Sequence, residues 1–223
     1  MNKTIWAIAF VVLACGVSFA MDNASVVAGA QSEFTNQPAD AGKVITEGGN
    51  VTEVTLSANV STEKWAGFYG NVSGMLVLAQ AADQYYLYNW TMNKSKGSVC
   101  VSTNTAPAWA GVLASLASTI DTAWGFTAGD TDSAANTFNQ TAVLNIGGTT
   151  VPAVPAAKTG GVGFLTGVVG NLTTTGKDAL AFCVNTTDAG TNYKGGKSDF
   201  ELMAPTNETE AVTETYYFFV ELG

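Results

Sequence analysis

Asn-x-Ser/Thr triplets, with x not Pro, are the most specific chemical signal in this sequence. Eleven of the sixteen Asn residues begin such a triplet, whereas about three would be expected by chance from the frequency of Ser and Thr. In a secreted protein these triplets accept N-linked glycans. The ten that lie after residue 20 are Asn23, Asn50, Asn59, Asn71, Asn89, Asn93, Asn139, Asn171, Asn185 and Asn207. We therefore predict a surface that carries hydrated sugars. The alternative is a β-rich protein that uses Asn and Thr in turns and on strand faces.

Three cysteines offer sulfur chemistry, at positions 15, 100 and 183. In an oxidising compartment, the isolated pair Cys100 and Cys183 is most simply a disulfide. Two buried free thiols are the alternative. A thiol enzyme is disfavoured, because no imidazole or clustered cation lies nearby in sequence to lower the pKa of a thiol.

Two acidic segments could bind calcium through oxygen ligands. Asp130 and Asp132 stand in one Gly-containing turn, and Asp188 and Asn192 stand in another. Neither segment has the Gly and Glu spacing of an EF-hand, and solvated turn residues are the alternative. Carboxylate pairs could also hydrolyse glycosides, but spacing along the chain does not place two of them together. We predict no cofactor and no enzymatic activity.

The charge composition excludes several further classes of function. The chain contains 9 Lys, no Arg and no His, and its net charge is −9. A Ser-His-Asp relay and a His-ligated metal both require imidazole, and nucleic-acid binding requires clustered cations. Only 12% of the residues are charged, so Thr, Ser, Asn and Gly must supply most of the polar surface.

The first twenty residues read as a secretory signal peptide. Lys3 is followed by an apolar run, and Ser18-Phe19-Ala20 is a suitable cleavage site. Alternatively, Cys15 could be the lipid-bearing residue of a lipoprotein signal. The apolar run is short for a bilayer, and no second one of that length follows. We therefore expect a secreted or cell-surface protein with no retained transmembrane helix.

The rest of the chain is predicted to be mainly β: a β-sandwich-like antiparallel domain with one helical insertion. Residues 21–49 read as an extended N-terminal arm or donor strand, and residues 50–223 as the β-rich domain. Val54, Leu56 and Ala58 alternate with polar residues, which predicts a half-buried strand from residue 51. Further strands are predicted at 65–70, 72–79, 85–90, 98–101, 141–146, 163–170, 179–185, 199–204 and 214–222.

Two segments depart from this strand pattern. Apolar residues recur every three or four positions from Trp109 to Trp124, which predicts an amphipathic helix at about 107–124. Residues 147–163 are rich in Gly, Pro and Ala and are predicted to form a long loop. The aromatic residues of the strands could stack on sugars or pack in the core, and core packing is favoured. They are Trp65, Phe68, Tyr69, Tyr85, Tyr86, Tyr88 and Trp90.

Three blocks of the sequence stand out. They are residues 64–74, which contain a Trp-x-Gly-Phe-Tyr-Gly-Asn motif, residues 87–90 with 97–99, and the ending, with 199–202, 205–206 and Tyr-Tyr-Phe-Phe-Val-Glu-Leu at 216–222. These blocks resemble segments of predicted secreted proteins of archaea. The resemblance covers about residues 50–223. It implies an archaeal cell-surface or extracellular protein and implies nothing about catalysis.

Two hypotheses for the function follow. The first is a structural glycoprotein that assembles with copies of itself into a filament or surface layer. In that case the arm at 21–49 or the terminal strand at 214–222 would exchange between subunits. The second is a monomeric module that binds glycans or adheres to surfaces through exposed aromatic residues. It predicts that some of Trp65, Tyr86 and Trp90 face solvent.

Overall fold

A computed structural model describes residues 21–32, 43–58, 61–80, 83–89, 96–160, 163–172, 175–207 and 213–223. The predicted signal peptide at 1–20 lies outside these residues. The strands are β1 (Asp22–Asn23), β2 (Trp65–Gly70), β3 (Met75–Gln80), β4 (Asp83–Asn89), β5 (Ser98–Ser102), β6 (Leu113–Ala114), β7 (Gln140–Ile146), β8 (Thr149–Thr159), β9 (Phe164–Gly170), β10 (Ala181–Asn185), β11 (Gly190–Thr191), β12 (Lys197–Ser198), β13 (Phe200–Pro205) and β14 (Tyr217–Glu221). The helices are α1 (Ala117–Trp124) and α2 (Ala134–Thr137), and a 3-10 turn spans Gly176–Ala179.

One large antiparallel sheet organises the domain. Its strand order is β1-β14-β5-β10-β9-β8-β7, and β6 pairs with the end of β9. Smaller two-stranded sheets pair β2 with β13, β3 with β4, and β11 with β12. The mainly β, sandwich-like antiparallel fold predicted from the sequence is confirmed.

The central strands are buried on both faces. In β10, Phe182 belongs to a core that includes α1 and the β2–β13 pair, whereas Cys183 belongs to a second core on the opposite face. In β5, Val101 and Cys100 divide in the same way. Successive side chains of a strand point to opposite faces, so a continuous apolar run suits a strand with a core on each side.

The second core is covered by the sheet itself, which curls so that β7 and β8 lie over β9 and β10. Leu144 and Val154 point inward and are almost fully buried. Gly167 of β9 makes this approach possible, because a Cβ atom there would lie 2.8 Å from both side chains.

The predicted helix at about 107–124 is too long at its start, because α1 begins at Ala117. Gly111 adopts a left-handed φ of 84°, and β6 then pairs with β9. Trp109 packs on Phe219 in the second core, whereas Trp124 packs in the first. The two tryptophans belong to cores on opposite faces of the large sheet, and the helical period does not reveal this separation.

The long loop predicted at 147–163 is also wrong, because most of it is strand β8. Its prolines, Pro152 and Pro155, lie in the half of β8 that pairs with β7 alone, and β9 pairs only from Ala156 onward. A proline cannot donate a ladder hydrogen bond, so it is tolerated where one edge of the strand has no partner strand. Ala153 has a positive φ of 53° beside a register shift in β7.

The strand predicted from residue 51 is not formed by the described residues 51–58. They have no regular secondary structure and are exposed: Val54 is 53% exposed and Leu56 is 87% exposed. The period-two pattern is present, but these residues have no partner strand in the described chain.

No helix among the described residues is both long and apolar enough to cross a bilayer.

Candidate assembly surface

A disulfide between Cys100 and Cys183 joins the two central strands, as the sequence predicts. The two residues are directly opposite each other in the β5–β10 register, with their Cα atoms 4.1 Å apart. Both are fully buried. The bond therefore fixes the middle of the sheet.

The first residues of the N-terminal arm complete the edge of this sheet. β1 pairs with β14, with Asp22 opposite Val220 and Asn23 opposite Phe219. The backbone N–H of Ala24 donates to the carbonyl of Phe218 at 2.9 Å. Two to three residues of the arm thus occupy the edge of the C-terminal strand.

Met21 anchors this short strand in the second core. Its side chain is only 6% exposed, and the Ser98 hydroxyl lies 3.6 Å from its sulfur. Farther along the arm, Val27 is 95% exposed and Ile45 is 91% exposed. The arm is therefore docked at its beginning and exposed over the rest of its described length. No local pattern in the sequence points to Met21, because its burial depends on contacts with distant strands.

The C-terminal strand is held from several sides. β5 pairs with it along its full length. The Glu221 carboxylate is buried and accepts hydrogen bonds from the backbone N–H groups of Gly147 and Gly148, at 2.7 and 2.9 Å. Just before the strand, the Tyr216 hydroxyl donates to the Pro205 carbonyl at 2.6 Å. Burial raises the pKa of Tyr216, so the phenol stays protonated as a donor.

The hairpin of β3 and β4 is apolar on both faces and exposed on both. Leu76 and Leu78 lie opposite Tyr88 and Tyr86, and Val77 lies opposite Leu87. All of these side chains are 38–55% exposed. Among the described residues, β3 and β4 pair only with each other. A strand that is apolar on both faces is typical of a buried sheet, so this hairpin has the composition of an interior element in an exposed position.

The acidic pair proposed for calcium binds a lysine in this structure. The Lys64 ammonium lies 2.7 Å from Asp130 Oδ2 and 2.9 Å from Asp132 Oδ1. A hydrogen bond from Thr62 and the Lys64 charge hold the pKa of Asp132 below its ordinary value, against a smaller opposing effect of burial. The Lys64 ammonium occupies the position between the carboxylates that a metal ion would need. Sequence reasoning missed Lys64 because it lies more than sixty positions away.

The second calcium candidate is not assembled either. The Asn192 side-chain oxygen accepts hydrogen bonds from the backbone N–H groups of Lys194 and Gly196, each at 3.0 Å. Its amide nitrogen donates to Ser198, and Asp188 is exposed. Asn192 therefore shapes its own turn. Within the described residues, no group of three or more Cys, Asp or Glu side chains is arranged to hold a metal ion.

The glycosylation candidates differ in accessibility. Asn23, Asn50, Asn71, Asn139 and Asn171 are exposed. Asn59 and Asn93 lie outside the described residues, as does the side chain of Asn89. The Asn207 side chain is half-buried and accepts a hydrogen bond from Lys177 at 3.1 Å.

Among the glycosylation candidates, Asn185 has a side chain that connects two strands by hydrogen bonds. Its amide nitrogen donates to the Val143 carbonyl at 2.9 Å, and its oxygen accepts from the Asn145 N–H at 3.1 Å. The side chain therefore ties β10 to β7 across the curled sheet. A sugar on Asn185 would have to fit into this bridge, whereas a sugar on an exposed triplet would extend into solvent.

The aromatic residues divide between the core and the surface. Trp65 packs against Phe126 and Phe138, with both ring centroids at 5.6 Å. Phe68 packs on the first core as well. By contrast, Tyr85 is 84% exposed, and Tyr86 is 55% exposed with its ring 4.5 Å from that of Tyr88. Trp90 lies outside the described residues.

A second exposed aromatic pair lies on β2 and the loop before β12. The rings of Tyr69 and Tyr193 meet edge to face at 5.2 Å. The Lys194 ammonium lies within 6 Å of both ring centroids. Hydrogen bonding to Tyr193, which has the larger effect, and to Tyr69 raises the pKa of Lys194. The Lys194 amine is therefore charged at neutral pH.

Comparison with protein families finds no match for this chain, and comparisons with curated proteins and with solved structures find none either. Inferences about its function therefore depend on its own residues.

Proposed function

We propose that this chain is a structural extracellular glycoprotein, a subunit that assembles with copies of itself into a cell-surface filament or surface layer. The predicted signal peptide, the excess of glycosylation triplets and the disulfide support an extracellular location. The buried disulfide and the two-faced core also suit a robust structural subunit.

The observation that carries this proposal is the docking of the arm onto β14. Within the described part of the arm, Met21, the two residues of β1 and the backbone N–H of Ala24 hold it in place, and an exposed stretch follows. The same side-chain and backbone contacts can form with β14 of a neighbouring copy, because an exchanged element makes identical bonds within one chain or between chains. The cost of changing partners is therefore small, and the concentration of subunits decides which pairing prevails.

Electron microscopy of the native protein sheared from cells tests the proposal directly. We expect regular filaments or a lattice built from this one glycoprotein. Dispersed single particles at every protein concentration would refute the proposal.

The exchange of β1 is tested by Ala24→Pro, which removes the hydrogen bond from the Ala24 N–H to Phe218. Val27→Pro is the matched control, since Val27 is 95% exposed. We expect Ala24→Pro to reduce assembly and Val27→Pro to leave it unchanged. Equal assembly of both variants would exclude β1 as the exchanged element.

A monomeric glycan-binding or adhesive module is the second candidate, favoured by the exposure of Tyr85, Tyr86 and Tyr88. Trp65 does not contribute to this candidate, because it packs against the core. Binding of the dispersed protein to a glycan array, lost in a Tyr86→Ala variant, would support this function.

A further inference from the structure

We infer that the exposed segment 51–58 of one copy adds as a strand to the β3–β4 hairpin of a second copy. This inference rests on the proposed assembly and names a contact within it. The contact is separate from the docking of β1 on β14, which involves other residues. The hairpin is the acceptor and segment 51–58 is the donor.

The donor has the composition of a strand but no partner among the described residues. When this segment is in a strand conformation, Val54, Leu56 and Ala58 share one face, and Thr55 and Ser57 share the other. Val51 is fully exposed and Leu56 is 87% exposed. At about 3.3 Å per residue, the eight residues span roughly 26 Å, enough to run along a six- or seven-residue strand.

In the part of the chain that the structure describes, the acceptor has no further strand to support it. A two-stranded hairpin is marginal in water unless further strands or a packing surface support it. Eight apolar or aromatic side chains of β3 and β4 are 38–84% exposed. Together they expose on the order of 1,000 Å², comparable to the roughly 800 Å² that each partner contributes to a standard interface. An added strand would extend the sheet, and the apolar faces would then be covered between copies.

Charge also favours a contact between copies at this place. Each chain carries a net charge of −9, so two copies repel each other as they approach. Segment 51–58 contains a single charged residue, Glu53, and the hairpin contains only Asp83. These two surfaces can therefore meet without bringing many like charges together.

The glycosylation triplets are compatible with the contact. Asn50 and Asn59 lie just outside the donor segment, and Asn71 and Asn89 lie at the base of the hairpin. No triplet begins within 51–58 or within 75–88. Sugars at these positions would flank both surfaces.

Proline variants of the full chain test the donor. Neighbouring N–H groups of a strand point to opposite edges, so one of Thr55→Pro and Leu56→Pro must remove a hydrogen bond to the acceptor. We expect at least one of them to raise the concentration needed for assembly by tenfold or more. Ile45→Pro is the control, because Ile45 is exposed but lies outside the donor. The melting temperature of the dispersed protein should be unchanged in all three variants.

Cross-linking identifies the partner. Chains carrying Leu56→Cys are mixed with chains carrying Leu78→Cys and treated with a short bis-maleimide. We expect covalent dimers joined through positions 56 and 78. Leu56→Cys mixed with Val143→Cys is the control, since Val143 is 55% exposed on β7, and this mixture should give no dimer.

The possible outcomes separate this inference from the proposed function. If the unmodified protein assembles and the proline and cross-linking variants behave like their controls, the inference is wrong and the assembly proposal stands. If the unmodified protein never assembles, the proposed function fails. A cross-link within one chain of a Leu56→Cys/Leu78→Cys variant at high dilution would overturn the inference in favour of pairing within the chain. Binding of the dispersed protein to phosphatidylcholine vesicles, lost on Val77→Lys, would assign the hairpin to a membrane surface instead.

Discussion

Removal of the Cys100–Cys183 disulfide tests how the large sheet is stabilised. The bond joins residues 83 positions apart, and a loop of that length corresponds to about 4.5 kcal/mol of lost chain entropy in the unfolded state. Because both sulfur atoms are fully buried, replacement by alanine also leaves small cavities worth about 1 kcal/mol each. A Cys100→Val/Cys183→Val variant keeps most of the apolar volume and separates the two effects.

Urea denaturation followed by circular dichroism measures the change. We expect the free energy of unfolding to fall by about 4.5 kcal/mol in the valine variant and by more in the alanine variant. The m-value should be higher in both variants, because their unfolded chains are less constrained. In a chain of this size the valine pair should melt roughly 9–18 °C lower. If the free energy of unfolding of the valine variant lies within about 1 kcal/mol of that of the unmodified protein, the entropic reasoning is refuted.

Three further predictions concern single side chains. Glu221→Ala should lower the free energy of unfolding by about 2–5 kcal/mol in urea denaturation, because two backbone donors lose their acceptor. Glu221→Gln keeps an acceptor oxygen and should lower it by less. Equal decreases in the two variants would contradict the reasoning. Mass spectrometry of the native glycoprotein should find Asn139 modified and Asn185 unmodified, since the Asn185 amide bridges two strands; a fully occupied Asn185 would refute this. A hydrogen bond from Thr62 and the pairing with Lys64 lower the pKa of Asp132 in the folded state, so these contacts stabilise the protein above about pH 4, and this stabilisation is lost as the pH falls below that value. Thermal melts should therefore show a smaller difference between Asp132→Asn and the unmodified protein at pH 2.5 than at pH 7, and a difference that does not depend on pH would contradict it.

The local patterns of the sequence predicted several elements well. The aromatic strand at 65–70, the strand at 141–146 and the terminal strand were each predicted to within a few residues. An alternating apolar pattern indicates a strand that is buried on one face, and a continuous apolar run indicates a strand that is buried on both. Neighbouring residues alone contain this information. The disulfide followed from the cysteine count.

The candidate site was less predictable, because its key contacts join distant parts of the chain. Lys64 meets Asp130 and Asp132 across more than sixty positions, and Glu221 meets the turn after β7 across more than seventy. A turn sequence with two acidic residues looks the same whether it faces solvent, a metal ion or a lysine. The calcium hypothesis therefore depended on information that spacing does not contain.

What the sequence by itself determined is the class of the molecule: a mainly β chain with a disulfide, no imidazole chemistry, and predictions of secretion and glycosylation. Only the tertiary structure decided which strands have partners. It divided the predicted helix between the two cores, turned a proline-rich loop into β8, and left segment 51–58 and the β3–β4 hairpin exposed. The physical reason is that a strand pattern specifies which faces are apolar, whereas hydrogen-bonded partners are chosen by long-range packing.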